Sequence, residues 1–201
     1  MLDAHVRPLI DPPLNAAGRL LARIGVGAIE MTLAGFIAGL SAAVAIAIGQ
    51  PGWAIALILL SRLADGLDGA IARATHQTDL GGYLDIVLDF IFYGAIPLAF
   101  ALADPFRNAL PAAVVLTSFY ASGSAFLAFA VMAEKRGYSS EAQGKKSLYY
   151  LTGLIEGTET IVFFLLSCLF PDAFRWLAYA FAGLCFVSTA ARIVVGWRTL
   201  S

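Results

Sequence analysis

Charge is what this 201-residue chain has least of: Asp, Glu, Lys and Arg make up 13% of it, while 60% is hydrophobic, against roughly a quarter charged in a soluble domain. That excludes an ordinary water-soluble domain and points to an all-α, polytopic membrane protein. The formal net charge is −1 and the basic residues are scattered over loops, so there is no patch for nucleic acid. With two histidines and two cysteines there is no Cys/His set that would favour zinc. Cys168 and Cys185 lie in separate apolar segments and read as small core hydrophobes rather than a disulfide. The first 28 residues lack the basic start, apolar core and cleavage site of a signal peptide, so the amino terminus is expected to be retained. No internal repeat or low-complexity tract divides the chain, and a single domain over 1–201 is expected.

What the chain does have is apolar length. Runs near the 20 residues needed to cross a bilayer occur at about 31–49, 52–73, 81–103, 109–133, 147–170 and 174–196, which predicts six transmembrane helices. Turn residues separate them at Gln50-Pro51-Gly52, Asp104-Pro105 and Pro171-Asp172. Upstream, Ile10, Leu14, Ala17, Leu21 and Ile24 share one helical stripe while Arg19 and Arg23 lie on another side, which predicts an amphipathic interfacial helix within 1–28. A short helix packed on the membrane domain fits the same pattern. With six crossings, Arg7, Arg19, Arg23, Arg73, Lys135, Arg136, Lys145, Lys146 and Arg198 fall on one side and only Arg107 and Arg175 on the other. Both termini are therefore expected in the cytoplasm.

Against this background the stretch ADGLDGAIARATHQTDLGGYLDIVLDF is anomalous. It places Asp65, Asp68, Asp85 and Asp89 in segments otherwise built for lipid, where one central carboxylate costs roughly 2.5 to 3.5 kcal/mol. At about 100° per residue, Asp65 and Asp68 share a face of the second span with Gly69 and Ala72, and Gly81, Asp85 and Asp89 share a face of the third. If the two helices are antiparallel neighbours, these faces meet, and the small residues leave room for a phosphate. Hard oxygen donors suit Mg²⁺, Mn²⁺ or Ca²⁺. Acids around a cation beside Arg73 suit chemistry on phosphates, with an uncommitted carboxylate as proton acceptor. Intramembrane carboxylates also mark ion pathways, so an ion or solute transporter is the competing class. A plain structural role, pairing with Arg62 or Arg73, would neutralise at most two of the four acids.

As they stand, Asp65-x2-Asp68-Gly69-x2-Ala72-Arg73-x7-Gly81-x3-Asp85-x3-Asp89 resemble the signature of the CDP-alcohol phosphatidyltransferase family. Every fixed position is filled, and the gap between Arg73 and Gly81 is one residue shorter than in the common form. The resemblance implies six transmembrane helices behind an amphipathic segment, commonly as a homodimer, in a bacterial cytoplasmic (inner) membrane. It also implies transfer of a phosphatidyl-type group from a CDP-linked lipid, with CDP-diacylglycerol expected, to an alcohol acceptor, releasing CMP with Mg²⁺ or Mn²⁺ as cofactor. By position, it implies Asp65, Asp68 and Asp85 as metal ligands, Asp89 as a further ligand and general base, and Gly69, Ala72, Arg73 and Gly81 as the nucleotide and diphosphate cradle. Thr32 becomes a candidate for the cytidine side, although the Pro-Asn pair that often precedes it reads Ala28-Ile29 here.

Glu156 and Glu159 fall in the fifth apolar run, three residues apart and expected on one helical face. Within a membrane they need a partner. An ion pair with Arg192 or Arg62 would supply it; so would an acceptor pocket, with Lys145 and Lys146 at its cytoplasmic mouth. Positive-inside anchoring accounts for the two lysines equally well.

Overall fold

The structure is a computed structural model that describes residues 3–137 and 155–201. Its elements are α1 (Asp3–Arg23), α2 (Ala28–Ala47), α3 (Pro51–Ala74), α4 (Asp79–Ala103), α5 (Pro105–Lys135), α6 (Gly157–Leu169), a 3₁₀ turn (Pro171–Ala173) and α7 (Phe174–Leu200). No strand occurs among the described residues. The breaks follow turn chemistry: Gly49 takes φ +76°, a conformation that disfavours a side chain, and Pro51 follows at the first turn of α3.

Among the described residues, four helical stretches are long and apolar enough to cross a membrane: Ala28–Ala47, Asp79–Ala103, Pro105–Lys135 and Pro171–Leu200. α3 has the length, about 36 Å at 1.5 Å per residue, but Arg62, Asp65, Asp68 and Arg73 keep it out of that set. The fifth expected span, 147–170, is described only from residue 155 onward, and within it α6 starts at Gly157. Its length of about 20 Å falls short of a 30 Å hydrocarbon core.

The helices alternate in direction as the turns require. The α2–α3 junction at Gly49 and Pro51, the α4–α5 junction from Ala103 to Asn108, and Pro171 to Arg175 converge on one cavity. Exposed Trp53, Phe106 and Trp176 sit at the starts of α3, α5 and α7, as residues of an aromatic membrane-interface belt do. At the other end Arg136 donates to the backbone carbonyls of Thr199 and Leu200, joining the ends of α5 and α7.

Lipid tails are as apolar as leucine, so close packing and small residues must hold the helices together. A Cβ on Gly35 of α2 would lie 3.0 Å from the Ala64 Cβ and 3.2 Å from the Ser61 carbonyl oxygen of α3, and one on Gly39 would meet the Phe92 ring of α4 at 2.6 Å. Those two glycines, one turn apart, let α2 lie directly against α3 and α4. Buried phenylalanines fill the far side, with Phe163 stacked on Phe181 and Phe100 on Phe174, each at 4.3 Å between centroids. Cys168 and Cys185 are free and buried in this core, as expected.

α1 packs on α3, but not through the whole stripe expected from sequence. Gly18 makes the close approach, where a Cβ would sit 2.6 Å from the Ala70 Cβ, and Leu14 covers Gly66. Ile10, Ala17 and Ile24 of that stripe stay exposed. The smallest residue set the packed face, because backbone approach is closest there, and the larger apolar side chains were left outward.

Candidate metal and substrate site

α3 carries Asp65 and Asp68, and α4 carries Asp85 and Asp89. The turn between them is fixed by Thr78, which is the N-cap of α4 and accepts from the Gly81 N–H at 3.0 Å. The two helices return antiparallel, and one carboxylate oxygen from each of Asp65, Asp68 and Asp85 lies within 4.8 Å of the other two. Asp85 is the exposed member and Asp68 the buried one, at 6% exposure. Thr32 and Gly35 of α2 complete the wall beside Asp68. The cleft that these residues line together with Arg62, Asp89 and Phe92 has about 10 Å³ of free space, room for one water-sized body.

These residues fit a hard divalent cation. All donors are carboxylate oxygens, and the buried Asp68 Oδ2 has no hydrogen-bond partner among the described residues. Such an orphaned acceptor is costly unless something positive meets it. Oxygens around one ion at about 2.1 to 2.4 Å can be at most about 4.2 to 4.8 Å apart, so the observed spread closes on an ion with little side-chain movement.

Asp89 lines the same cleft, yet its partner is an arginine. Arg62 Nη1 donates to Asp89 Oδ1 at 3.0 Å and lies 3.5 Å from Asp65 Oδ1. Its Nη2 donates to Ser61 Oγ at 3.3 Å, and its guanidinium lies 4.5 Å from the Phe92 ring centroid. The four aspartates expected as one ligand set are thus arranged as three plus a fourth held by Arg62.

The expected diphosphate cradle lies outside this cleft, toward the α3–α4 turn. Arg73 donates from Nε at 3.2 Å and Nη2 at 3.0 Å to Asn15 Oδ1 of α1. Gly69 lies one turn before it, where a Cβ would come 3.2 Å from Arg73 Nη1. Ala72 is half-buried, and the Gly81 N–H is committed to Thr78. Thr32 donates to the Ala28 carbonyl at 3.0 Å within its own helix.

Glu156 and Glu159 are not two acids on one face inside a helix. Glu156 is the N-cap of α6, and the two form a capping box in which the Glu159 carboxylate accepts from the Glu156 N–H at 3.0 Å. Arg192 Nη1 donates to Ser122 Oγ at 2.7 Å and to the Ser122 carbonyl at 3.3 Å. Lys145 and Lys146 lie outside the described residues. Sequence reasoning missed Asn15 and Thr78. Thr78 had a readable signal, a capping threonine before an apolar run, whereas nothing local to Asn15 points to Arg73.

The sequence profile of the CDP-alcohol phosphatidyltransferases matches residues 28–187. The chain is 47% identical to the inner membrane protein YnjF of Escherichia coli, over all of this chain and 97% of that one. It is 30% identical to an archaetidylinositol phosphate synthase of Pyrococcus horikoshii over 52% of this chain and 56% of that one. Its fold superposes on the Mycobacterium tuberculosis phosphatidylinositol phosphate synthase, solved with CDP-DAG bound, with a TM-score of 0.67 at 21% identity, covering 92% of this chain and 93% of that one. The matched region contains the whole three-plus-one arrangement of aspartates between α3 and α4, and the chain belongs to the CDP-alcohol phosphatidyltransferase family.

Proposed function

We propose that the protein transfers a phosphatidyl-type group from a CDP-linked lipid, CDP-diacylglycerol, to an alcohol, releasing CMP, in phospholipid synthesis at a bacterial cytoplasmic membrane. The observation that carries this reading is the convergence of Asp65, Asp68 and Asp85 on one ion-sized space with a buried, unpartnered Asp68 oxygen. Asp65, Asp68 and Asp85 would hold Mg²⁺ or Mn²⁺, which when bound supplies neutralisation of the charge developing on the leaving phosphate. Asp89 takes the proton of the acceptor hydroxyl as the acceptor oxygen bonds to the lipid-bearing phosphorus; the bond from that phosphorus to the CMP oxygen breaks, and CMP leaves with the electron pair. Gly69, Ala72, Arg73 and Gly81 form the nucleotide side, with Arg73 exchanging Asn15 for phosphate, and Thr32 lies toward the cytidine. Both termini are cytoplasmic in this reading, α3 and the 147–170 segment complete six crossings, and the protein is a homodimer.

Depth along the helices supports an acceptor side beside α6. From the far-side turns, Asp65, Asp89 and Glu156 each lie about 21 Å along their helices at 1.5 Å per residue, so the start of α6 stands level with the aspartates. An alcohol entering beside α6 would reach Asp89 there.

The test is CMP release from CDP-diacylglycerol by the purified protein in detergent with Mg²⁺ or Mn²⁺ and a panel of alcohols. Release is expected, and Asp85→Asn and Asp89→Asn should each lower it by about 10²-fold or more. Near-normal turnover in both variants overturns the reading.

A further inference from the structure

The aspartate cluster contains a cation of its own. Arg62 Nη1 lies 3.0 Å from Asp89 Oδ1 and 3.5 Å from Asp65 Oδ1, so a fixed positive charge already stands between these two carboxylates. The side chain is 18% exposed, is tied to Ser61 by Nη2, and is covered by the Phe92 ring. A guanidinium packed this way keeps its charge and geometry. Moving it aside would leave a cation buried against aromatic rings without its carboxylates, a costly state. The triad of Asp65, Asp68 and Asp85, by contrast, closes on an ion without any contribution from Asp89.

The geometry points to Arg62 as a positioning residue that takes the place of a second metal ion: it withholds Asp89 from metal coordination, limits the cluster to one divalent cation, and keeps the Asp89 carboxylate free for the acceptor proton. This rests on the proposed metal-dependent transfer. It adds to that reading a stoichiometry and a division of labour among the four acids.

The experiment is a Mn²⁺ titration of the purified full-length protein in detergent, read by electron paramagnetic resonance of free and bound ion. Wild type should saturate at one Mn²⁺ per chain. Asp89→Asn should leave the Kd within about threefold, while Asp85→Asn should weaken it by more than about tenfold, since even the outer partners of metal ligands are worth 10- to 100-fold. Arg62→Gln should admit a second Mn²⁺, Arg62→Lys should not, and Arg62→Gln combined with Asp89→Asn should return to one. Two ions in wild type, or equal weakening by Asp89→Asn and Asp85→Asn, would overturn the role of Arg62 while leaving the metal-dependent transfer standing. If wild type binds no Mn²⁺, the metal reading itself falls, and the role of Arg62 with it. The Asp89→Asn comparison retains the native arginine and a side chain of equal shape, so it decides the question even if Arg62→Gln does not fold.

Discussion

Asn15 accepts two hydrogen bonds from Arg73, from Nε at 3.2 Å and Nη2 at 3.0 Å, and so ties α1 to the last turn of α3. Arg73 is the basic member of the family signature, and a residue 58 positions earlier sets its direction. The contact is exposed, so it is worth no more than about 1 kcal/mol, enough to aim a long side chain without locking it. In the proposed reading, the amino-terminal helix thereby supports the donor side of the site.

Asn15→Ala should therefore raise the KM for CDP-diacylglycerol by about two- to fivefold, the value of one modest hydrogen bond. Mn²⁺ affinity should not change. Steady-state CMP release against donor concentration measures the first and the Mn²⁺ titration the second; a loss of metal binding would show that α1 supports the aspartates rather than Arg73.

Gly18→Val should loosen α1 from α3. The added Cβ would lie 2.6 Å from the Ala70 Cβ and 2.8 Å from its carbonyl carbon, and backbone cannot give way as a flexible side chain does. A stability loss of about 1 to 3 kcal/mol is expected, read as a lower Tm in detergent. Gly52→Ala is the matched control, because its Cβ would meet nothing within 4 Å.

Chelation should abolish CMP release, and Mg²⁺ or Mn²⁺ should restore it. The donor set is carboxylate only, which favours hard cations; Zn²⁺ seeks nitrogen and sulfur ligands that the site lacks. Full activity in excess chelator would remove the basis for assigning the triad to a cation.

The two glutamates of α6 separate a cap from a pocket. As a capping box, Glu159→Gln should be nearly silent, since a Gln oxygen accepts from the Glu156 N–H equally well, while Glu159→Ala should cost about 0.5 to 2 kcal/mol of stability. If the pair also binds the acceptor, Glu159→Gln should raise the KM for the alcohol alone. Tm and acceptor titration on the two variants distinguish these outcomes.

Topology can be read with cysteines, because native Cys168 and Cys185 are buried and should not label. Ser201→Cys should resist membrane-impermeant thiol reagents in intact cells and Asp172→Cys, fully exposed at the opposite end, should react. The reverse pattern would put the aspartates on the face away from cytosolic CDP-linked substrates.

The helices that cross, their turns and the family signature were legible in the sequence because each is a local matter. A run of apolar residues needs only its own length to span lipid, Gly49 and Pro51 need only their own backbone preferences, and Asp65, Asp68, Asp85 and Asp89 repeat at helical spacing. Where α6 begins was hidden, because an apolar run tells how much chain can enter the membrane and not where a capping box starts the helix. The pairing of Asn15 with Arg73 and the division of the aspartates into a triad and an Arg62-bound fourth were decided only by tertiary structure. Both depend on how closely backbones approach at Gly18, Gly35 and Gly39, and that distance follows from the fit between helices far apart in the chain, which no single helix carries in its own spacing.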